Sequence, residues 1–230
     1  MPALTTRRMI TDLSSFCGAM ILGLLASATA ALAQNPIPEL DGNWWATPAW
    51  DTNVTGVVQL APRVLTEHGE ALMSVFDPVD DPSVRCGHPG AMRVLLGPYP
   101  MSFKVYEDHV SIGYELWDET RTIHLSVQET DPDAPHKFMG VSEGRFEDDK
   151  LIIETHSLTT GLNMTNGFLW TSEEATIHEE YFFDEESSYL TVRLSLTDPV
   201  MLAEPWVVEK QWARYDGELL DYDCIDRERP

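Results

Sequence analysis

Nine short runs rich in Val, Ile, Thr, Tyr, Phe and Trp succeed one another along this chain, with a single helix-like stretch among them. They cover 54–60, 101–107, 109–117, 122–128, 138–146, 150–157, 176–183, 189–196 and 205–215. Asp, Gly, Pro and Glu punctuate them, the pattern of strands separated by turns. Reversals are expected at Glu107-Asp108, Asp118-Glu119-Thr120, Glu147-Asp148-Asp149 and Asp184-Glu185-Glu186, because Asp tolerates left-handed backbone angles. An open sheet of that many strands leaves long edges exposed, so the sheet must close or fold on itself. The expectation is an all-β fold: a single antiparallel β-barrel in meander order, with a β-sandwich as the alternative. One short helix is predicted over 63–75, where Val64, Leu65, His68, Leu72 and Val75 recur at helical spacing.

Gly42-Asn43-Trp44, just before the first run, resembles the Gly-x-Trp that opens lipocalin-like barrels. That resemblance implies that Trp44 plugs the barrel floor and that a late arginine packs over it. Arg214 is placed to do so.

The N-terminus carries Arg7 and Arg8, then a largely apolar stretch ending in Ala31-Leu32-Ala33. This is the layout of a cleaved secretory signal peptide over residues 1–33. A single β-barrel domain over 34–230 and a periplasmic or secreted location are expected. The paired arginines leave Sec and twin-arginine export both open. The apolar core is short for a membrane span, and no second stretch is long and apolar enough, so the mature chain is not expected to insert into membranes. With 15 basic and 38 acidic side chains the formal charge is −23, and losing Arg7, Arg8 and Asp12 with the signal makes it −24. Such a charge repels nucleic acid, which needs a basic footprint, and that partner class is set aside. Cys17 leaves with the signal. Cys86 and Cys224 then remain, and in an oxidising compartment two cysteines most often pair. Two free thiols, one of them nucleophilic, are the alternative.

Several blocks together resemble a broad family of exported bacterial β proteins without an assigned reaction. They are Cys86-Gly87-His88-Pro89-Gly90, Gly97-Pro98-Tyr99-Pro100-Met101, Tyr114-Glu115 with Arg121-Thr122-Ile123, and 138–147 with Leu151-Ile152-Ile153-Glu154-Thr155. Asp198-Pro199, Pro205-Trp206 and Cys224 follow in the same order. The resemblance implies a compact β fold and export, and points to Tyr114, Glu115, Arg121 and Arg145. The chain departs from the family at Thr171, where similar proteins carry His before a Ser-Glu pair. His124 and His156 also stand where an aromatic or small residue is expected, which a subfamily-specific pocket or drift would explain.

Three constellations carry possible chemistry. A two-residue turn at Glu119-Thr120 would set Glu115 opposite His124 and Asp118 opposite Arg121, and a Glu–His pair suits a general base. A three-residue loop would break that register, leaving a surface hairpin with ordinary ion pairs. Glu154 and His156 share one strand face, as do His178 and Glu180. Pointing inward they would make an acid–base or two-His, one-carboxylate metal site. The opposite faces, with Leu151, Ile153, Ile177 and Tyr181, look like better core, which turns these pairs toward water. Finally, His88 sits in a Gly/Pro loop beside Cys86, and Tyr99 between prolines, as pocket-rim candidates or plain turn residues. The loop 159–172, with Trp170, is a candidate lid or a core cap.

No HExxH, P-loop or GxGxxG motif occurs; Gly140-Val141-Ser142-Glu143-Gly144 has GxSxG spacing but lies inside the expected strand 138–146, so there is no strand-to-helix elbow. Two functions therefore stand. One is a cofactor-free, metal-free acid–base enzyme of lyase, isomerase or hydratase type, using Glu115, His124, Arg121 and His88. Tyr99, Tyr114, Arg145, Glu154, His156 and Trp170 would hold its small apolar or aromatic substrate. The other is a lipocalin-like carrier of a small hydrophobic ligand; a structural envelope protein is a third use of the fold. On either functional reading, Arg121→Ala and Glu115→Gln should lower binding or turnover with little change in melting temperature.

Overall fold

The structure is a computed structural model that describes residues 37, 40–46, 57–126, 135–163, 168–184 and 188–224. The expected signal peptide, 1–33, lies outside the described residues. Among the described residues there are twelve strands: β1 (Gly42–Ala46), β2 (Val57–Leu60), β3 (Met101–Val105), β4 (His109–Tyr114), β5 (Glu119–His124), β6 (Val141–Glu147), β7 (Lys150–His156), β8 (Gly161–Asn163), β9 (Leu169–Thr171), β10 (Thr176–Asp184), β11 (Tyr189–Thr197) and β12 (Trp206–Arg214). Nine of them form a ring in the order β1-β3-β4-β5-β6-β7-β10-β11-β12, and β12 pairs back onto β1. β2 adds to the free half of β12, while β8 and β9 make a separate ribbon within the expected lid.

The expected β-barrel is thus present, and the sandwich alternative is not. One part of the expectation is corrected: the barrel is not wholly antiparallel, because β5 and β6 run parallel. A parallel neighbour requires a crossover rather than a tight turn. The connection from Leu125 to Gly140, with Pro132 and Pro135 in it, is long enough to carry the chain back along β5.

Alternation along the strands builds the core. Val110, Ile112 and Tyr114 on β4, Leu151 and Ile153 on β7, and Leu190, Val192, Leu194 and Leu196 on β11 all point inward and are buried. Trp44 stands at one end of the barrel. Its indole N–H donates to the Leu40 carbonyl at 3.0 Å, and Phe183 meets it edge-on. The Arg214 guanidinium lies 4.0 Å over its ring and donates to the Asp41 carbonyl at 2.7 Å, the packing expected for that late arginine.

The predicted helix is α1 (Glu67–Ser74), shorter than 63–75 because Thr66 caps it, accepting from the Gly69 N–H at 2.9 Å. A second helix, α2 (Ala91–Leu96), buries five of its six residues. It starts at Gly90, whose φ of +91° favours glycine, and whose missing side chain leaves room for Gly161: a Cβ there would lie 2.6 Å from the Gly161 Cα. Past α2, Pro98 to Pro100 lead into β3 at the end of the barrel where Glu119 starts β5, with His88 and the last described residues nearby.

Candidate functional site

A polar network crosses the barrel interior behind β5. Arg121 is only 3 % exposed and Glu179 is fully buried. Arg121 donates through Nε to Ser142 Oγ at 2.8 Å, and through Nη2 and Nη1 to Glu179 Oε1 and Oε2 at 2.6 and 3.2 Å. Nη2 also donates to Thr155 Oγ1, and the Tyr181 hydroxyl donates to Glu179 Oε2 at 2.9 Å. A bidentate arginine–carboxylate pair with its remaining atoms hydrogen-bonded is the arrangement that makes a buried charge pair tolerable. Burial opposes the charge on Arg121, but Glu179 outweighs it and holds the guanidinium pKa above its usual value. Burial also pushes the Tyr114 phenol up to about 12, and raises that of Tyr181 beside Glu179. The Tyr114 hydroxyl is buried near Arg121 and Tyr181, with no hydrogen bond of good geometry among the described residues.

A cleft of about 440 Å³ leads from the surface to this network. It opens because β5 and β6 pair only at Ile123–Ser142 and His124–Glu143, leaving the first half of β5 apart from the chain that enters β6. Glu119, Arg121, His124, Phe138, Met139 and Ser142 contribute to its walls. Glu119 is the carboxylate at the rim, about a quarter exposed. Behind it stands His88, whose Nδ1 accepts the Gly90 N–H at 3.0 Å and whose ring stacks on Phe138 at 4.4 Å. With Nδ1 accepting, the neutral ring carries its proton on Nε2. That nitrogen lies 3.0 Å from Glu119 Oε1, off the line of its N–H, so the contact is electrostatic and the buried N–H has no aligned acceptor. Glu119 is thus the carboxylate that faces the cleft, with His88 directly behind it.

The residues named from sequence divide. Arg121 and His124 line the cleft, His88 stands behind its rim, and Tyr114 lies beside Arg121. Glu115 does not face His124: His124 is opposite His109, and Arg121 is opposite Ile112. The chain reverses over 115–118 instead of at Glu119-Thr120, with Trp117 and Asp118 at φ of 65° and 49°. A bulky Trp in a left-handed turn is uncommon, so composition places the reversal too late. Glu115 and Asp118 instead accept the Leu220 and Tyr222 N–H groups at 2.9 and 2.8 Å.

Glu154 points outward, with His178 bridging it at 2.7 Å and Glu180 at 3.4 Å. His156 contacts Ser157, and exposed Arg145 pairs with Glu147 at 3.0 Å. Tyr99 is 40 % exposed, and Trp170 packs edge-on against Phe76. None of these five lines the cleft. Among the described residues, no three His, Cys, Asp or Glu side chains are grouped closely enough to hold a metal ion. Glu119, Ser142, Thr155 and Glu179 were not singled out by sequence. Glu179 carried a signal: it lies between Ile177 and Tyr181 at period two, on the face that the alternation assigns to the core.

Lys210 is a further buried ionisable group, between Val208 and Trp212 on β12 and fully enclosed. Its Nζ donates to the Gly97 carbonyl at the end of α2 and lies 3.8 Å above the Trp212 ring. Burial holds its pKa well below the usual 10.5. A base whose folded pKa is lowered costs stability when both states are protonated. That cost is relieved as pH rises from the lowered value toward the unfolded one. Relative to Lys210→Met, the wild type should therefore gain up to about 1.4 kcal/mol per pH unit in that interval. Urea unfolding of both proteins at pH 9 and 10 measures it, and a constant difference would contradict the burial of a titrating amine.

Comparison with known protein families, curated proteins and solved structures finds no match.

Proposed function

We propose that this is an exported, cofactor-free acid–base catalyst acting on a small apolar or aromatic molecule held in the cleft beside β5. The observation that carries the reading is Glu119 at the rim, backed by His88 in a fixed tautomer, next to an apolar wall of Phe138 and Met139. Glu119 takes a proton from the bound molecule. His88 Nε2, 3.0 Å from Glu119 Oε1, holds that oxygen and leaves Oε2 to face the ligand. Arg121, committed to Glu179, Ser142 and Thr155, holds the cleft floor rigid and is not the group that moves a proton. Phe138 and Met139 favour flat apolar surfaces, through ring contacts and an adaptable thioether. The Cys86–Cys224 disulfide suits an oxidising compartment, which supports export with residues 1–33 as the signal.

A carrier on the same scaffold is the second reading. Trp44 beneath Arg214 favours it, since that pair matches the lipocalin-like pattern that Gly42-Asn43-Trp44 resembles. In that case the cleft releases its ligand unaltered.

A thermal-shift screen of the purified protein against aromatic, terpenoid and sugar libraries, with mass spectrometry of each stabilising compound, separates the two. Any ligand of the native state raises the melting temperature by mass action, whether or not it is converted. For a compound that is converted, Glu119→Gln should lower turnover by roughly 10²–10⁴-fold with little change in melting temperature. A Gln variant that turns over normally would remove Glu119 from the chemistry, and stabilising ligands recovered unchanged would favour the carrier.

A further inference from the structure

Aromatic rings form a row at the end of the barrel that carries the cleft, with ring contacts running from Phe138 to Tyr99. His88, stacked on Phe138, stands 6.2 Å from Trp117; Trp117 stacks on Tyr222 at 4.7 Å, and Tyr222 meets Tyr99 edge-on at 6.3 Å. Beside Tyr99, the Pro98 carbonyl accepts the Trp45 indole N–H at 2.9 Å, and Trp45 packs edge-on against Tyr215 at 5.2 Å. Three rings spaced along this row, Phe138, Tyr99 and Trp45, are 48, 40 and 45 % exposed. Exposed rings joined by half-buried ones suit a contact surface, and Trp and Tyr are among the residues that carry most binding energy at such surfaces.

Carboxylates alternate with the rings. Asp118 follows Trp117, Asp216 follows Tyr215, and Asp221 and Asp223 flank Tyr222. Asp216, Asp221 and Asp223 are exposed. The nearby cation Arg93 is already bound by Asp81 at 2.7 Å. The row is therefore aromatic and edged with carboxylates.

We propose that this row is a docking strip for an extended peptide segment of a partner protein bearing Lys or Arg. The apolar stems of those side chains lie along the rings, while their charged heads meet ring faces and the interleaved carboxylates. An extended chain presents successive side chains to a linear surface. Neutral sugars also stack on such rings, but draw nothing from the negative charge, so charge complementarity favours the cationic peptide. The proposal does not depend on the catalytic reading of the cleft.

The test is fluorescence anisotropy of the purified protein with a labelled decapeptide of alternating Lys and Pro. Its Glu–Pro counterpart and a neutral hexasaccharide serve as comparisons. The Lys–Pro peptide is expected to bind and to weaken as salt is raised to about 0.3 M. Trp45→Ala with Tyr99→Ala should cut affinity roughly tenfold, and Asp221→Asn with Asp223→Asn should reduce it too, both at an unchanged melting temperature. No binding at about 1 mM, equal binding of the Glu–Pro peptide, affinity unmoved by either double substitution, or displacement by the hexasaccharide would each overturn the proposal.

Discussion

Arg121→Ala should lower stability by about 3–5 kcal/mol, because it leaves the Glu179 carboxylate charged and unpaired inside the barrel. Glu179 is fully buried, and of its described partners only the Tyr181 hydroxyl would remain. For a chain of this size that loss corresponds to a fall in melting temperature of roughly 6–20 °C, readable by circular dichroism or calorimetry. This reverses the expectation drawn from sequence, in which the same substitution removes function and spares the fold. Replacing both partners with apolar residues of similar volume, Arg121→Met with Glu179→Leu, should recover much of the loss, since the penalty belongs to the unpaired charge. A single variant as stable as the wild type would show that water or a counter-charge reaches Glu179.

Cutting the Cys86–Cys224 bond should have an effect of similar size. The two cysteines are 138 residues apart, and the chain-entropy model assigns such a closure roughly 5 kcal/mol, of which about 2–5 is commonly observed. In the Cys86→Ser, Cys224→Ser double variant the chain over 216–224 would keep three lesser anchors. These are Gly217 O with the Asn43 amide at 2.7 Å, and the Leu220 and Tyr222 N–H groups on Glu115 and Asp118. A melting temperature lower by roughly 4–20 °C is expected. Amide exchange should accelerate at Leu220 and Tyr222 ahead of the barrel strands. Unchanged protection at those two amides would mean that the carboxylate anchors suffice alone.

How far the sequence disclosed this arrangement depends on the physics behind each signal. Strands were legible because alternation is local: His109–Tyr114, Lys150–His156 and Thr176–Asp184 each show their inward residues at period two. Trp44 and Arg214 were legible as a pair through the Gly-x-Trp resemblance. The parallel β5–β6 pair was not, because nothing local distinguishes a crossover from a loop that reverses direction. The reversal after β4 was misplaced by a few residues, since it depends on Trp117 adopting a left-handed angle. That shift alone replaces Glu115 by Glu119 as the carboxylate near the cleft. Glu179 and Lys210 sat in plain alternation with core residues, and their charge discouraged an inward assignment. Their partners, Arg121 and the Gly97 carbonyl, are 58 and 113 residues away, a pairing visible only once the barrel closes.

The most direct test of Glu119 as the proton-transferring group is deuterium exchange. A compound that stabilises and is processed by the protein is incubated in D₂O with wild type and with Glu119→Gln, and its mass is followed over time. Solvent deuterium should enter the compound with the wild type and not, on the same timescale, with the Gln variant. Equal incorporation by both would contradict proton transfer by Glu119.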